Sequence, residues 1–194
     1  MRLGSVAAVR SGLVLSRKQT KGKDGIRYPA LNLRCINSDG TIDFNQTDVY
    51  EASELLPSEY LTHTGDIVVR LTAPYTAVLI DEITSGIVIS SSFVIIRTDR
   101  QSLKPEYLFW LLNTASTKRE IYDNATGSMI SAIKPKYFSD FEVSLLSLAE
   151  QEKIATINAL ARKETQLLYQ LAEAKKNYYD NLIDEIHNEM KRGF

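Results

Sequence analysis

From Ser147 to Arg192 the chain runs without a glycine or a proline, and apolar residues return every three or four positions. Ile154, Ile157, Ala161, Leu167, Leu168, Leu171, Ala174, Tyr178, Leu182, Ile186 and Met190 fall on one stripe of a helix with 3.6 residues per turn. Ser147-Leu-Ala-Glu150 opens the run as a capping box: the Ser147 hydroxyl can accept from a first-turn amide while Glu150 reaches back to the cap. At about 1.5 Å per residue the run predicts a rod of about 65 Å. A rod that long cannot bury its stripe on a small globule, so it calls for a second helix. Heptad spacing places Glu164 and Lys175 on the same seam, which predicts an interrupted coiled coil rather than an ideal zipper. The residues expected to meet the partner helix are Ile154, Ile157, Ala161, Leu168, Leu171, Tyr178, Leu182 and Ile186. The alternative is a helix folded back over its own domain.

The chain before this helix is built differently. Short segments rich in Val, Ile and Tyr are separated by turn signals such as Asp39-Gly40, Thr64-Gly65, Pro74 and Ser85-Gly86. Strands are expected over Tyr28–Arg34, Asp66–Leu71, Ala77–Ile80, Ser91–Arg97 and Phe141–Leu146, with a turn through Pro135. A helix is expected over Pro105–Asn124, since proline suits the first helical turn and Tyr107, Leu108, Leu111 and Leu112 share a face. The fold class is therefore α+β: a mixed α/β globule over residues 1–146, then one long C-terminal helix over 147–194 that forms an antiparallel coiled coil with a partner.

Composition narrows the class further. Of 194 residues 44% are hydrophobic, too many for a disordered chain. The longest apolar run, Tyr107–Leu112, is far below the roughly 20 residues of a membrane span. No secretory signal opens the chain, and the single cysteine, Cys35, fits a reducing compartment, so a cytoplasmic protein is expected. The formal charge of -1 conceals an uneven distribution. Residues 1–34 hold eight Lys/Arg and one Asp, whereas residues 35–66 hold seven acids and no Lys or Arg. A basic block can bind phosphate, or the two blocks can neutralise each other; the sequence leaves both open.

Missing residues exclude most catalytic chemistry. The imidazoles are His63 and His187, and the second lies on the predicted rod. No Cys-x-x-Cys or His-x-x-x-His spacing occurs, so no zinc site is expected, and the nine glycines form no phosphate-cradling loop. The five prolines are never adjacent, which excludes the Asn/Asp-Pro-Pro-aromatic loop of amino-methyltransferases. No Pro-Asp exists to begin a Pro-Asp…Glu-x-Lys nuclease centre, and Glu173–Lys175 and Glu189–Lys191 are helix surface charges. A non-catalytic protein is expected, with no metal and no directly bound cofactor.

Three segments carry binding chemistry. The loop Ser16-Arg-Lys-Gln-Thr-Lys-Gly-Lys-Asp-Gly25, followed by Arg27, gathers Arg17, Lys18, Lys21, Lys23 and Arg27 among hydroxyl and amide side chains. Such cations neutralise phosphates, and the polar neighbours can read base edges. The turn Arg70-Leu-Thr-Ala-Pro-Tyr75 follows an apolar strand and offers Arg70, Thr72 and Tyr75, Arg70 being able to take guanine with two hydrogen bonds. The small-residue loop Thr126-Gly-Ser-Met-Ile-Ser131, with Lys134 after it, adds Ser128 and Lys134. Each has a plain structural alternative: a solvated hairpin tip, a partner for the acids of 35–66, and a simple turn.

In this order the features resemble a target-recognition domain of a type I restriction–modification specificity (S) subunit. Arg2-Leu-Gly-Ser-Val-Ala-Ala-Val-Arg-Ser-Gly12 resembles that family's opening, Tyr60-Leu-Thr-His-Thr-Gly-Asp-Ile-Val-Val69 its "Tyr-Leu…Gly-Asp-Ile" strand, and Pro105-Glu-Tyr-Leu its helix start. Thr126-Gly-Ser resembles its Gly-Ser loop. Phe141-Glu-Val-Ser-Leu-Leu-Ser-Leu-Ala-Glu-Gln-Glu-Lys-Ile154 resembles the signature that starts the spacer helix, with Leu146 and Ser147 where proline is usual. The resemblance implies a half-length form: one DNA-recognition domain reading half of a bipartite target, and one spacer helix that dimerises. It implies a homodimer on double-stranded DNA with methyltransferase (M) subunits that bind S-adenosylmethionine and methylate adenine N6, a restriction (R) subunit being left open. The competing reading is a coiled-coil assembly scaffold that binds no DNA.

Overall fold

The computed structural model describes residues 1–20, 25–125 and 132–192. Contacts divide the chain into two units, Met1–Glu152 and Lys153–Phe194.

The first unit is built on two sheets. Strands β1 (Ala7–Ser11), β4 (Ile67–Arg70), β5 (Ala77–Leu79) and β7 (Phe93–Thr98) form an antiparallel sheet in the order β1-β7-β4-β5. Strands β2 (Ile26–Leu31), β3 (Asp48–Ala52) and β6 (Val88–Ile89) form the other in the order β3-β2-β6, with β2 antiparallel to β3 and parallel to β6. The central pair β4 and β7 is Ile-Val-Val against Phe-Val-Ile-Ile, β-branched and aromatic residues suited to a pleated surface. Ile67, Val68 and Val69 are all fully buried, so both faces of β4 are covered and the strand reads as a continuous apolar run.

Between the sheets lies one core of Leu31, Cys35, Ile36, Val68, Val78, Ile80, Ile87, Ile89, Phe93 and Ile95, drawn from both. Each large side chain fully buried here contributes about 1.5–3 kcal/mol. A second cluster, Leu13, Ala30, Tyr50, Ala52, Leu56 and Val88, includes Tyr50, whose hydroxyl donates to the Leu15 carbonyl. Gly12 allows the backbone to pass close to Ile89 and Ser90: a Cβ there would stand 2.1 Å from the Ser90 carbonyl oxygen. Three helices complete the unit, α1 (Pro105–Asn113), α2 (Ala115–Asn124) and α3 (Pro135–Asp140). Asn113 ties α1 to β5, its Oδ1 accepting from the Ala77 amide and its Nδ2 donating to the Ala77 carbonyl.

The expected strands at β4, β5 and β7 lie within a residue or two of their predicted spans; elsewhere the fold corrects the sequence reading. The single helix over Pro105–Asn124 is two, because Thr114 leaves the helical region (ψ 149°) and its hydroxyl accepts from the Thr117 amide, capping a new helix. Tyr28–Arg34 is strand only to Leu31; Asn32 then caps a 3-10 turn over Leu33–Cys35 by accepting from two amides. Phe141–Leu146 forms no strand: the segment makes one bridge, Glu142 with Arg2, alongside Leu3 N–H to Phe141 O and Val143 N–H to Met1 O. The turn through Pro135 is the short helix α3. Strands β1, β3 and β6 went unread, being short or mixed in polarity.

Helix α4 runs unbroken from Leu148 to Arg192. Its start is the capping box read from the sequence: the Ser147 amide donates to Glu150 Oε2 and the Glu150 amide to Ser147 Oγ. The Ser147 hydroxyl, which also donates to Glu150 Oε2, and then the Ser147 amide hold the Glu150 pKa below its ordinary value. Gln151, fully buried, ties this first turn to the strand of chain before α1: its Oε1 accepts from the Lys104 amide while its Nε2 donates to the carbonyls of Ser102 and Leu146. Beyond it Ile157, Leu168, Leu171 and Tyr178 are exposed, Leu168 by 60%. Among the described residues no helix is long and apolar enough to cross a membrane.

Candidate nucleic-acid interface

The basic block and the acidic block face each other in the fold. Arg27 on β2 stands directly opposite Glu51 on β3, and its Nε donates to Glu51 Oε1 at 2.9 Å. Arg34 reaches Asp48 at 3.2 Å, Arg10 is bonded to Glu59, and Lys18 to Glu54. The neutralising reading therefore describes these four cations. Exposed pairs of this kind contribute between nothing and about 1 kcal/mol, so a phosphate can displace the carboxylate at little cost. Arg27 keeps 76% of its side chain in solvent while paired. Arg17 ends a 3-10 turn over Leu15–Arg17 and is exposed, whereas Lys21 and Lys23 lie outside the described residues.

Beside this surface is a cleft of about 460 Å³ whose polar lining includes Gln19, Arg34, Asp48, Ser90 and Ser92. Asn32 also lines it, but its amide is consumed by the backbone of Arg34, Cys35 and Gln46. The Ser92 carbonyl accepts from Leu71 N–H, so the edge continues into the second candidate, the turn after β4. There the Arg70 Nη2 donates to the Ala73 carbonyl at 3.2 Å, and its buried Nε has no hydrogen-bond partner among the described residues. Burial lowers the Arg70 pKa from its ordinary value. Arg70 thus bonds its own turn rather than an acid of 35–66.

The turn contains a cis Ala73–Pro74 peptide and a left-handed Tyr75 (φ 54°). Tyr75 is expected on the binding face, yet its ring is 2% exposed, because an aromatic of that size is more stable in the core. What reaches the surface is the turn it holds. Thr72 is half-buried and bridges Ala132, and Ile133 N–H donates to the Leu71 carbonyl. The second candidate turn thereby lies beside Ala132 and Ile133, with Lys134 exposed just beyond, while residues 126–131 lie outside the described residues. Ser128 lies outside the described residues. The residues missed from sequence are Arg34, Ser90 and Ser92; the run Ser90-Ser-Ser92 between two apolar strands was the available signal.

One pairing has the look of catalysis. Ser58 Oγ and His63 Nε2 are 2.8 Å apart. The nearest acid in the chain, Asp66, accepts from the His63 backbone N–H and from Arg97 Nε and Nη2, so its carboxylate does not orient the imidazole. Among the described residues no group of three His, Cys, Asp or Glu could hold a metal ion.

The fold is similar to that of solved type I restriction–modification S subunits. The HsdS subunit from Thermoanaerobacter tengcongensis matches with TM-score 0.65 and 22% identity, over 91% of this chain and 45% of that one. A chain from a structural study of complex assembly and conformational transition of the type I R-M system matches with TM-score 0.66 and 21% identity, over 91% and 45%. The type I S subunit from M. genitalium matches with TM-score 0.57 and 16% identity, over 91% and 42%. The chain thus has the S-subunit fold and spans less than half the length of the solved subunits it matches. No protein-family model and no curated protein matches the sequence.

Proposed function

We propose that this chain is a half-length S subunit of a type I restriction–modification system: a non-catalytic reader of double-stranded DNA that works in the cytoplasm as a homodimer, joined by an antiparallel coiled coil of α4. The carrying observation is the fold match, which extends over 91% of this chain and less than half of the S subunits, equivalent to one globule and one helix. The exposed apolar stripe of α4 supports dimerisation, since such a stripe loses free energy in water unless a partner covers it.

In this reading Arg17, Lys18, Lys21, Lys23, Arg27, Arg70, Thr72, Ser128 and Lys134 meet phosphates and bases, with Tyr75 holding the turn of Arg70 and Thr72 from beneath. Catalysis belongs to M subunits, which bind S-adenosylmethionine and methylate adenine N6; an R subunit joins where the system also cuts. A two-fold dimer reads an inverted repeat, so the target is a bipartite palindrome. The test is co-expression with the neighbouring methyltransferase and mapping of methylated adenines. A split, inverted-repeat site is expected, and a continuous or asymmetric site overturns the reading. A scaffold that binds no DNA would instead show no salt-dependent retention of any duplex.

A further inference from the structure

We infer that Glu164 and Lys175 set the alignment of the antiparallel pair that α4 forms with a second copy of this chain: the two-fold axis lies between Tyr169 and Gln170, and Glu164 of each copy stands against Lys175 of the other. The inference rests on the antiparallel homodimer proposed above and adds its alignment.

The seam contains two interruptions, Glu164 and Lys175. Among the described residues neither has an ion-pair partner in its own chain, whereas Arg10, Lys18, Arg27 and Arg34 of the globule all do. Ala161, Leu168 and Lys175 recur at one heptad position, and Glu164, Leu171 and Tyr178 at the facing one. In an antiparallel pair each position of one helix layers against the other position of its mate, and two-fold symmetry makes every such contact occur twice. An axis between Tyr169 and Gln170 stacks Leu168 on Leu171, Glu164 on Lys175 and Ala161 on Tyr178. Each of these three layers then matches: apolar on apolar, acid on base, a small side chain against a large one; Ile157 meets Leu182 in the next layer out, and only the layer beyond, Ile154 on Glu185, sets an apolar group on a charge.

Competing alignments fail on the same residues. A slip of one heptad sets Glu164 against Leu168 or Leu182 and Lys175 against Ile157 or Leu171, leaving four charges on apolar groups. A parallel pair sets Glu164 against Glu164 and Lys175 against Lys175, like charges in both layers. An independent feature agrees: residue 170 is the midpoint of Leu148–Arg192, so this axis overlaps the two helices along their whole length. Antiparallel helices also align their dipoles favourably.

The experiment is disulfide trapping in the full-length protein, after sedimentation has established its oligomeric state. Glu164→Cys and Lys175→Cys chains are oxidised separately and as a mixture; the native Cys35 is buried and does not compete. The mixture is expected to form a Glu164→Cys–Lys175→Cys disulfide that neither chain forms alone, the second Glu164–Lys175 pair remaining intact. Homodisulfides from either chain alone, in a protein that sediments as a dimer, overturn the alignment and leave the homodimer standing. A wild-type protein that sediments as a monomer overturns both. As a second readout, Glu164→Lys is expected to weaken the dimer by about tenfold, and Lys175→Glu added to it to restore the affinity. Three equal affinities contradict the antiparallel pairing, because in a parallel pair none of these changes alters the match.

Discussion

The globule and the long helix satisfy their side chains in opposite ways. Within Met1–Glu152 apolar residues are buried and four of the N-terminal cations are paired with acids of the same chain. Within α4 beyond Glu152, Ile157, Leu168, Leu171, Tyr178 and Ile186 are exposed, and Glu164 and Lys175 have no ion-pair partner among the described residues. One region covers its apolar side chains within the chain, and the other leaves an apolar stripe in solvent. The globule's surface pairs are weak enough to be exchanged for phosphate, while the helix's apolar stripe gains only when a partner covers it.

The sharpest way to break the contrast is a cavity in the globule. Phe93→Ala, at a fully buried position between the sheets, is expected to cost about 3–5 kcal/mol in chemical denaturation. In the helix, Leu168→Asp is expected to raise the dimer dissociation constant by about 100-fold in sedimentation while leaving the thermal midpoint of the globule in place. An equal loss in both measurements would mean the two regions do not differ as described.

Asp66 tests the interior charge of the globule. Its side chain is 2% exposed and is held at 2.7 Å by two nitrogens of Arg97, itself 40% exposed. Asp66→Asn is expected to lower stability by about 2 kcal/mol, less than a fully buried pair because water still reaches Arg97. Arg17→Ala is subtler: binding weakens similarly on all duplexes, and the salt slope falls by about one.

The smallest effect is a pH dependence of the helix start. The Ser147 bonds depress the Glu150 pKa, so the ionised form is favoured in the folded protein. Their contribution is complete above the ordinary carboxylate range and is lost as pH falls through the depressed value. Glu150→Gln is expected to flatten this dependence of α4 helicity in far-UV circular dichroism.

Local chemistry alone determined much of this molecule. The capping box at Ser147, the unbroken run to Arg192 and the apolar segments of β4 and β7 were legible because neighbours in sequence suffice to form a helix or mark a buried strand. The charge blocks were legible too, but not their pairing, since Arg27 meets Glu51 only through the β2–β3 register. The burial of Tyr75, the cleft edged by Ser90 and Ser92, and the junction of Thr72 with Ala132 were decided by tertiary structure. Each depends on residues far apart in the chain arriving at one place, and periodicity within a single segment holds no record of that meeting.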